Sequence, residues 1–449
     1  MPKDLRGENV HINKTLRFIM KRFALITHLL LVLVLFGCSS GGGSGESDQQ
    51  GKPRVIVSSD IGGTDPDDFQ SMIHYLMYAD RFRTEGLVSS AYGPGRKEHI
   101  LEMIDLYEQD LPKLREHAAF PEADELSALV KQGATEMAPA RGWSTPTEGS
   151  RWIVERAHEV DKAPLWVLVW GGLEDVAQAL HDDPGIAGKI RVYWIGGPNK
   201  KWSRNAYLYI ASNFPDLWMI EANSTYRGWF IGEAVDPGFT NKGFYERHIR
   251  GRGAMGNDFG NYYDGEIKMG DSPSVGYLLS GDSDDPSGES WGGSFEPLPY
   301  SAVRRFGRHT TQADTIPVYG LVEWSFQSED PPADEKEQEI WMEIDRQRID
   351  GFYDGQGVFT VRFVPKGTGS WSYTVNSSSG ELNGSTGGFT SVNPWPGPPN
   401  GENLQMNTWW SDRQDDDLFI GQYQGAETVA KWRGQYLADW AERWSWLED

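Results

Sequence analysis

Cysteine is all but missing from this 449-residue chain: Cys38 is the only one. Internal disulfides and thiolate metal sites are therefore excluded. Positive charge is scarce too, with 42 Lys and Arg against 65 Asp and Glu and a formal net charge of −23. The balance deepens to −27 once the first 37 residues, with six basic and two acidic side chains, are set aside. Such a surface repels phosphate backbones and anionic lipid heads, which argues against nucleic-acid polymers as partners. Neutral carbohydrates and nucleosides remain permissible. No internal repeat is visible, and none of His74, His99, His181 or His248 sits in a motif.

Long apolar runs are also lacking, apart from Phe23 to Phe36, which is short for a membrane span. That run follows Lys21-Arg22 and ends in Leu35-Phe36-Gly37-Cys38-Ser39, the layout of a secretory signal. The residues LFGC resemble a bacterial lipobox, with Cys38 as the lipidated first residue of a mature, exported lipoprotein, periplasmic or at the cell surface. A plain N-terminal anchor helix is the alternative. Met20 is a candidate start, because residues 1–19 look like no part of a signal. The expected organisation begins with a signal over 1–37 and a flexible Gly/Ser tether over 38–52.

From residue 53 to 315, strand-like runs alternate with helical ones. Leu165–Trp170 and Ile190–Ile195 read as strands, and Leu173, Val176, Ala177 and Leu180 form one helical face between them. Strand, helix, strand in this rhythm predicts an α/β domain with an open parallel sheet. Residues 316–395 change pattern: Phe359, Val361 and Phe363, then Trp371, Tyr373 and Val375, alternate with polar neighbours, as in a small antiparallel β-sandwich. Residues 396–449 hold a linker and a Trp-rich terminal helix over Ala426–Leu447. With 19 tryptophans in the chain, aromatic faces are available for sugar stacking as well as for core packing. The terminal stripe reads more readily as contact with the first domain.

What the chain does have is a crowded acidic turn. Asp60, Asp65, Asp67 and Asp68 follow the strand pattern Arg54–Ser59 and precede a helical face of Phe69, Met72, Ile73, Leu76 and Met77. The crevice beyond strand carboxyl ends is where open α/β sheets bind ligands. Clustered carboxylates repel unless a cation joins them, and oxygen-only donors favour calcium or magnesium. An N-terminal helix turn with solvated charges is the plainer alternative.

These residues resemble the N-terminal signature of the inosine-uridine nucleoside hydrolases: an Asp, a Gly-containing turn and a paired Asp-Asp after the first strand. The block VLVWGGLEDVAQALHDDPGIAGKIRVYWIGGP is similar to a second block of that family. The overall layout is closer to the cellulose-binding, Sde182-like proteins, which append a β-domain and a Trp-rich tail. The resemblance implies a nucleoside-hydrolase-like fold and a calcium site at Asp60, Asp68, Asp271 and the backbone carbonyl of Trp170. It further implies Asp67 as general base and Glu221 and Asn223 as ribose-hydroxyl partners. Two features differ: the turn is three residues longer between Asp60 and Asp67, leaving Asp65 open to replace either, and Gly270 stands where the family has a histidine.

The expected activity is hydrolysis of a glycosyl, N-glycosidic-type bond with calcium-activated water, because an oxocarbenium-like state needs a water, a base and anionic surroundings. The alternative is a weak or inactive hydrolase scaffold that binds cellulose or another polysaccharide. Trp291 is a candidate stacking wall, with Asp285 and Glu289 beside it as further candidates or as plain loop residues. The β-domain would bind glycan or brace the first domain.

Overall fold

Every residue of the strand Arg54–Ser59 (β1) is buried, as a parallel strand covered on both faces requires. The computed structural model describes residues 51–90, 93–232, 236–329 and 339–448. The expected signal, Cys38 and the tether as far as residue 50 lie outside the described residues. No described helix is long and apolar enough to cross a membrane.

The main sheet continues with Arg83–Ser89 (β2), Val130–Gln132 (β3), Leu165–Val169 (β4), Ile190–Ile195 (β5), Trp218–Ala222 (β6), Phe295–Pro297 (β7) and Trp409–Asp412 (β8). Their spatial order is β3-β2-β1-β4-β5-β6-β8-β7, parallel throughout except for the β8–β7 pair. Strand order reverses between β1 and β4, so the crevice beyond their carboxyl ends is the topological switch point. Asp60 and Trp170 are the residues that leave these two strands.

Alternate residues of each strand feed two cores. Val55, Val57, Trp166 and Leu168 pack on one face beneath the helix Asp67–Met77 (α1); Ile56, Val167 and Val169 pack on the other. The face predicted for α1 is buried at Met72, Ile73, Leu76 and Met77, with Phe69 partly covered. The helices Gly197–Trp202 (α2), Arg204–Asn213 (α3) and Ser272–Ser280 (α4) complete the surroundings of the crevice.

The β-domain has a five-stranded and a four-stranded sheet enclosing Val322, Trp324, Phe359, Val361, Tyr373 and Val375. It begins earlier than the pattern change suggested. Val303–Phe306 pairs in parallel with Leu321–Gln327, and Thr315–Pro317 in parallel with Thr386–Val392, within an otherwise antiparallel pair of sheets. The segment Val-Arg-Arg-Phe carries no alternation of its own, so only the fold reveals it as a strand. Trp371, partly buried, stacks on Phe389 against the core of the sandwich. The domain also braces the sheet: Arg362 Nη1 donates to Ala140 O at 2.8 Å and Asn205 Oδ1 at 2.9 Å.

The tail contributes more than a helix. Trp409–Asp412 enters the main sheet between β6 and β7, a partnership across nearly 190 residues (Trp409 with Met219) that local pattern cannot show. The terminal helix is divided into Glu427–Ala430 and Arg433–Ser445 (α5), and Tyr436, Trp440 and Trp444 pack in the first-domain core.

Candidate functional site

Asp67 and Asp68 occupy the first turn of α1, where the helix dipole favours negative charge. The residue before them, Pro66, makes no side-chain cap, so neither acid is spent on capping the helix. Asp68 is 4 % exposed and accepts from Ser59 Oγ at 2.5 Å. Across the crevice, Asp271 precedes α4 and is equally sealed, yet its Oδ2 has no hydrogen-bond partner. Ligand oxygens of Asp67, Asp68 and Asp271 all lie within 4.8 Å of one another. Gly270 N donates to Asp67 Oδ2 at 3.3 Å, tying the two loops together.

Asp60 stands beside this trio, next to the Asp68 carboxyl. Gly171 is needed here, because a Cβ on it would fall 2.7 Å from the Asp60 Cβ. Burial pushes the Asp60 carboxyl up to about 6 and that of Asp67 up to about 7, with the charge of Asp65 adding to both. Asp68 and Asp271 are raised further, by burial first and then by the other carboxylates. Four acids that oppose each other's ionisation, one with an unpartnered buried oxygen, match a hard divalent cation in donor type and charge.

Trp170 acts through both ends. Its carbonyl, near the Asp60 turn, accepts from Asn199 Nδ2 at 3.1 Å, and its indole Nε1 donates to Ser274 Oγ at 2.8 Å. Asp65 points elsewhere, pairing at the surface with Lys268 at 3.1 Å. The longer turn therefore adds a peripheral ion pair and leaves the trio intact.

Glu221 and Asn223 do not face the crevice freely. Both are fully buried; Glu221 pairs with Lys200 and accepts from Tyr207 Oη at 2.9 Å, and Asn223 Nδ2 donates to Glu221 at 2.7 Å. Trp291 backs onto Gly276 midway along α4. Glu289 pairs with Lys431, and Asp285 caps its own loop at Ser287. His74 is enclosed by Tyr78, Trp229 and Trp440, and His99 lies over Gly62.

A small cavity beside Asp60 is lined by Glu136, Glu174, Asn199 and Trp202, residues that sequence reasoning missed. Burial raises Glu174 to about 7, although Ser203 Oγ donates to it at 2.9 Å. A signal was present: Glu174 and Asn199 each follow a glycine pair, Gly171-Gly172 and Gly196-Gly197, at a strand's carboxyl end.

Comparison with known proteins gives this geometry a context. The family model for the cellulose-binding Sde182, nucleoside hydrolase-like domain matches residues 54–295, and a domain of unknown function, DUF5060, matches residues 315–378. A search of curated proteins gave no match. Among solved structures, a nucleoside hydrolase-related hypothetical protein from Saccharophagus degradans, associated with carbohydrate metabolism, is 18% identical with a TM-score of 0.47, covering 76% of this chain and 99% of its own. An inosine-uridine preferring nucleoside hydrolase from Bacillus anthracis is 14% identical with a TM-score of 0.34, covering 56% and 86%. At such low scores the assignment rests on the sequence match, which spans more than half of the chain: the protein belongs to the cellulose-binding Sde182, nucleoside-hydrolase-like family.

Proposed function

We propose that the chain is an exported, lipid-anchored hydrolase that cleaves a glycosyl bond of the N-glycosidic type. The observation that carries this reading is the convergence of Asp67, Asp68 and Asp271 around the unpartnered Oδ2 of Asp271. Asp68 and Asp271 are the buried ligands for calcium, with Asp60 and the Trp170 carbonyl as further donors. Calcium, when bound, polarises a water and fixes sugar hydroxyls. Asp67, half-buried and open to the crevice, accepts the proton from the attacking water. The surrounding carboxylates offset positive charge on the sugar as the bond lengthens. Export and a lipid at Cys38 are supported by the Lys21–Ser39 sequence.

Calorimetric calcium titration together with riboside hydrolysis tests this. Asp68→Asn and Asp271→Asn are expected to lose calcium binding and turnover together, whereas Asp67→Asn keeps calcium and loses turnover. Absence of a calcium site in the wild type, or full activity in Asp67→Asn, overturns the reading. If Asp60→Asn shows the behaviour expected of Asp67→Asn, Asp60 is the base.

A second reading, a polysaccharide-binding protein of weak turnover, is favoured by Gly270, which leaves the family's histidine position without a side chain, and by the family's cellulose-binding description. Retention on insoluble cellulose no greater than that of an unrelated acidic protein excludes it.

A further inference from the structure

We propose that the cavity beside Asp60 holds a primary ammonium group of the ligand, which makes a sugar bearing an amino group the substrate class of this crevice. This assignment rests on the crevice being a sugar site, as proposed above, and adds what that sugar carries.

The cavity lies where strand order reverses, and its walls come from the loops that follow β1 to β5. Asp60 is the acid it shares with the cation site. Glu174, the first residue of the helix Glu174–Asp182, folds its side chain back over Gly172 at the end of β4. Its carboxyl group is held from two sides: Ser203 Oγ donates to Oε2 at 2.9 Å, and Ala138 N donates to Oε1 at 3.4 Å. Ser203 follows Trp202 and Ala138 follows Met137, both of which line the cavity. One bond at each oxygen leaves about half of a carboxylate's acceptor sites open.

Asn199 presents an acceptor as well. Its Nδ2 donates to the backbone carbonyls of Trp170 at 3.1 Å and Ile195 at 3.0 Å. Two carbonyls can face only the amide nitrogen, so the orientation is fixed and Oδ1 is left without a hydrogen-bond partner among the described residues.

Nothing in the wall answers the negative charge of Asp60, Glu136 and Glu174. Elsewhere in the interior Glu85 pairs with Arg54, Asp80 with Arg443 and Glu221 with Lys200. Among the described residues no lysine or arginine lines the cavity. Lys200, next to Asn199, is spent on Glu221, and Lys201 sits over the Trp202 ring, 4.6 Å from its centroid. A metal ion is a poor match for the missing charge. Among the described residues only Asp67, Asp68 and Asp271 form a set of three whose ligand atoms lie within 4.8 Å of one another; Asp60, Glu136 and Glu174 do not converge in that way. An ammonium group has three donors and no acceptor, matching the open oxygens of Glu174 and Asn199. Trp202 and Met137 supply an aromatic and apolar wall for its stem, and an indole attracts a cation. A hydroxyl in the same place would leave the charge unanswered.

Calorimetric titration in the presence of calcium with D-glucosamine, D-glucose and N-acetyl-D-glucosamine, which differ only in the substituent on carbon 2, tests this. Glucosamine is expected to bind at least about tenfold tighter than either neutral sugar. Glu174→Gln, which keeps the shape and removes the charge, should bring it down to their level while calcium affinity stays within about twofold. Ammonium chloride should displace glucosamine from the wild type and sodium chloride at the same concentration should not, a result that needs no variant to fold. Equal affinity for the three sugars, an advantage of glucosamine that survives Glu174→Gln, or displacement by both salts alike overturns the assignment and leaves the hydrolase reading standing. A second calcium ion per wild-type chain that is lost in Glu174→Gln gives the cavity to a metal and overturns it too. A wild-type chain that binds none of the three sugars removes the sugar site and the ammonium subsite together.

Discussion

The indole Nε1 of Trp170 donates to Ser274 Oγ at 2.8 Å, and Ser274 Oγ in turn donates to the backbone carbonyl of Asp271 at 2.7 Å. The end of β4 is thereby fastened to the loop that presents the buried acid of α4. The side chain of Trp170 therefore matters, beyond the carbonyl for which the family resemblance singled it out. Both Trp170→Phe and Ser274→Ala remove this link while leaving all the carboxylates in place. Losing one buried hydrogen bond costs about 1 kcal/mol, which predicts roughly fivefold weaker calcium binding in either variant. Calorimetric titration checks this; unchanged affinity in both would reduce the contact to packing.

Gly270→Ala probes the crevice from the opposite side. Its methyl group would sit 2.7 Å from Asp67 Oδ2, closer than packed atoms allow, while the Tyr226 ring at 3.6 Å would be in ordinary contact. Since Gly270 has an ordinary backbone conformation, strain in φ does not enter. The variant is expected to fold with a loss of stability of about 1–3 kcal/mol and to lose most riboside turnover, because Asp67 must move. Wild-type turnover would mean that the Asp67 carboxylate has more freedom than its contacts suggest.

How much of this was legible beforehand follows from how local each signal is. The acidic turn, α1 and strands β1, β4 and β5 announce themselves through runs of adjacent residues, and the structure places them as read. The role of β8 was hidden because Trp409–Asp412 is four residues long and finds its partner, β6, nearly 190 residues away. Val303–Phe306 was hidden for a related reason, being a parallel edge strand with two arginines where alternation would be sought. Glu221 and Asn223 were picked out by their match to the family's E-x-N, but sequence could not show that Lys200 had already engaged Glu221, and Glu221 the amide of Asn223.

The Lys200–Glu221 pair is a salt bridge with both side chains sealed from solvent. The ammonium also donates to Tyr319 O at 3.2 Å and lies 4.0 Å from the Trp395 ring centroid. It thus joins α2, β6, the β-domain and the linker before the tail. Removing one partner strands the other without water, at a cost of about 3–5 kcal/mol, so Lys200→Met and Glu221→Gln should each be severely destabilised. The double variant Lys200→Met/Glu221→Leu should regain a large part of that loss, because no unpaired charge remains. Urea unfolding of the singles and the double measures the coupling; simple additivity would show the pair to be energetically independent.

His74 supplies a pH dependence whose sign is fixed by its surroundings. It is enclosed by Tyr78, Trp229 and Trp440, its Nδ1 has no partner, and burial together with the facing Arg443 guanidinium pushes its pKa down to about 3. The unfolded chain binds a proton there near the ordinary value of 6.5, while the folded chain does not. Stability from neutral His74 is therefore full above that value and is lost as the pH falls toward 3, amounting to on the order of 5 kcal/mol. Buried Asp68 and Asp271, whose pKa values are raised, act with the opposite sign, so the informative quantity is the difference between wild type and His74→Phe. Phenylalanine keeps a ring in the cage and sacrifices no hydrogen bond at Nδ1. Thermal unfolding from pH 7 to pH 4 should show the wild type losing stability relative to His74→Phe, and parallel curves would mean that the imidazole escapes its cage to take the proton.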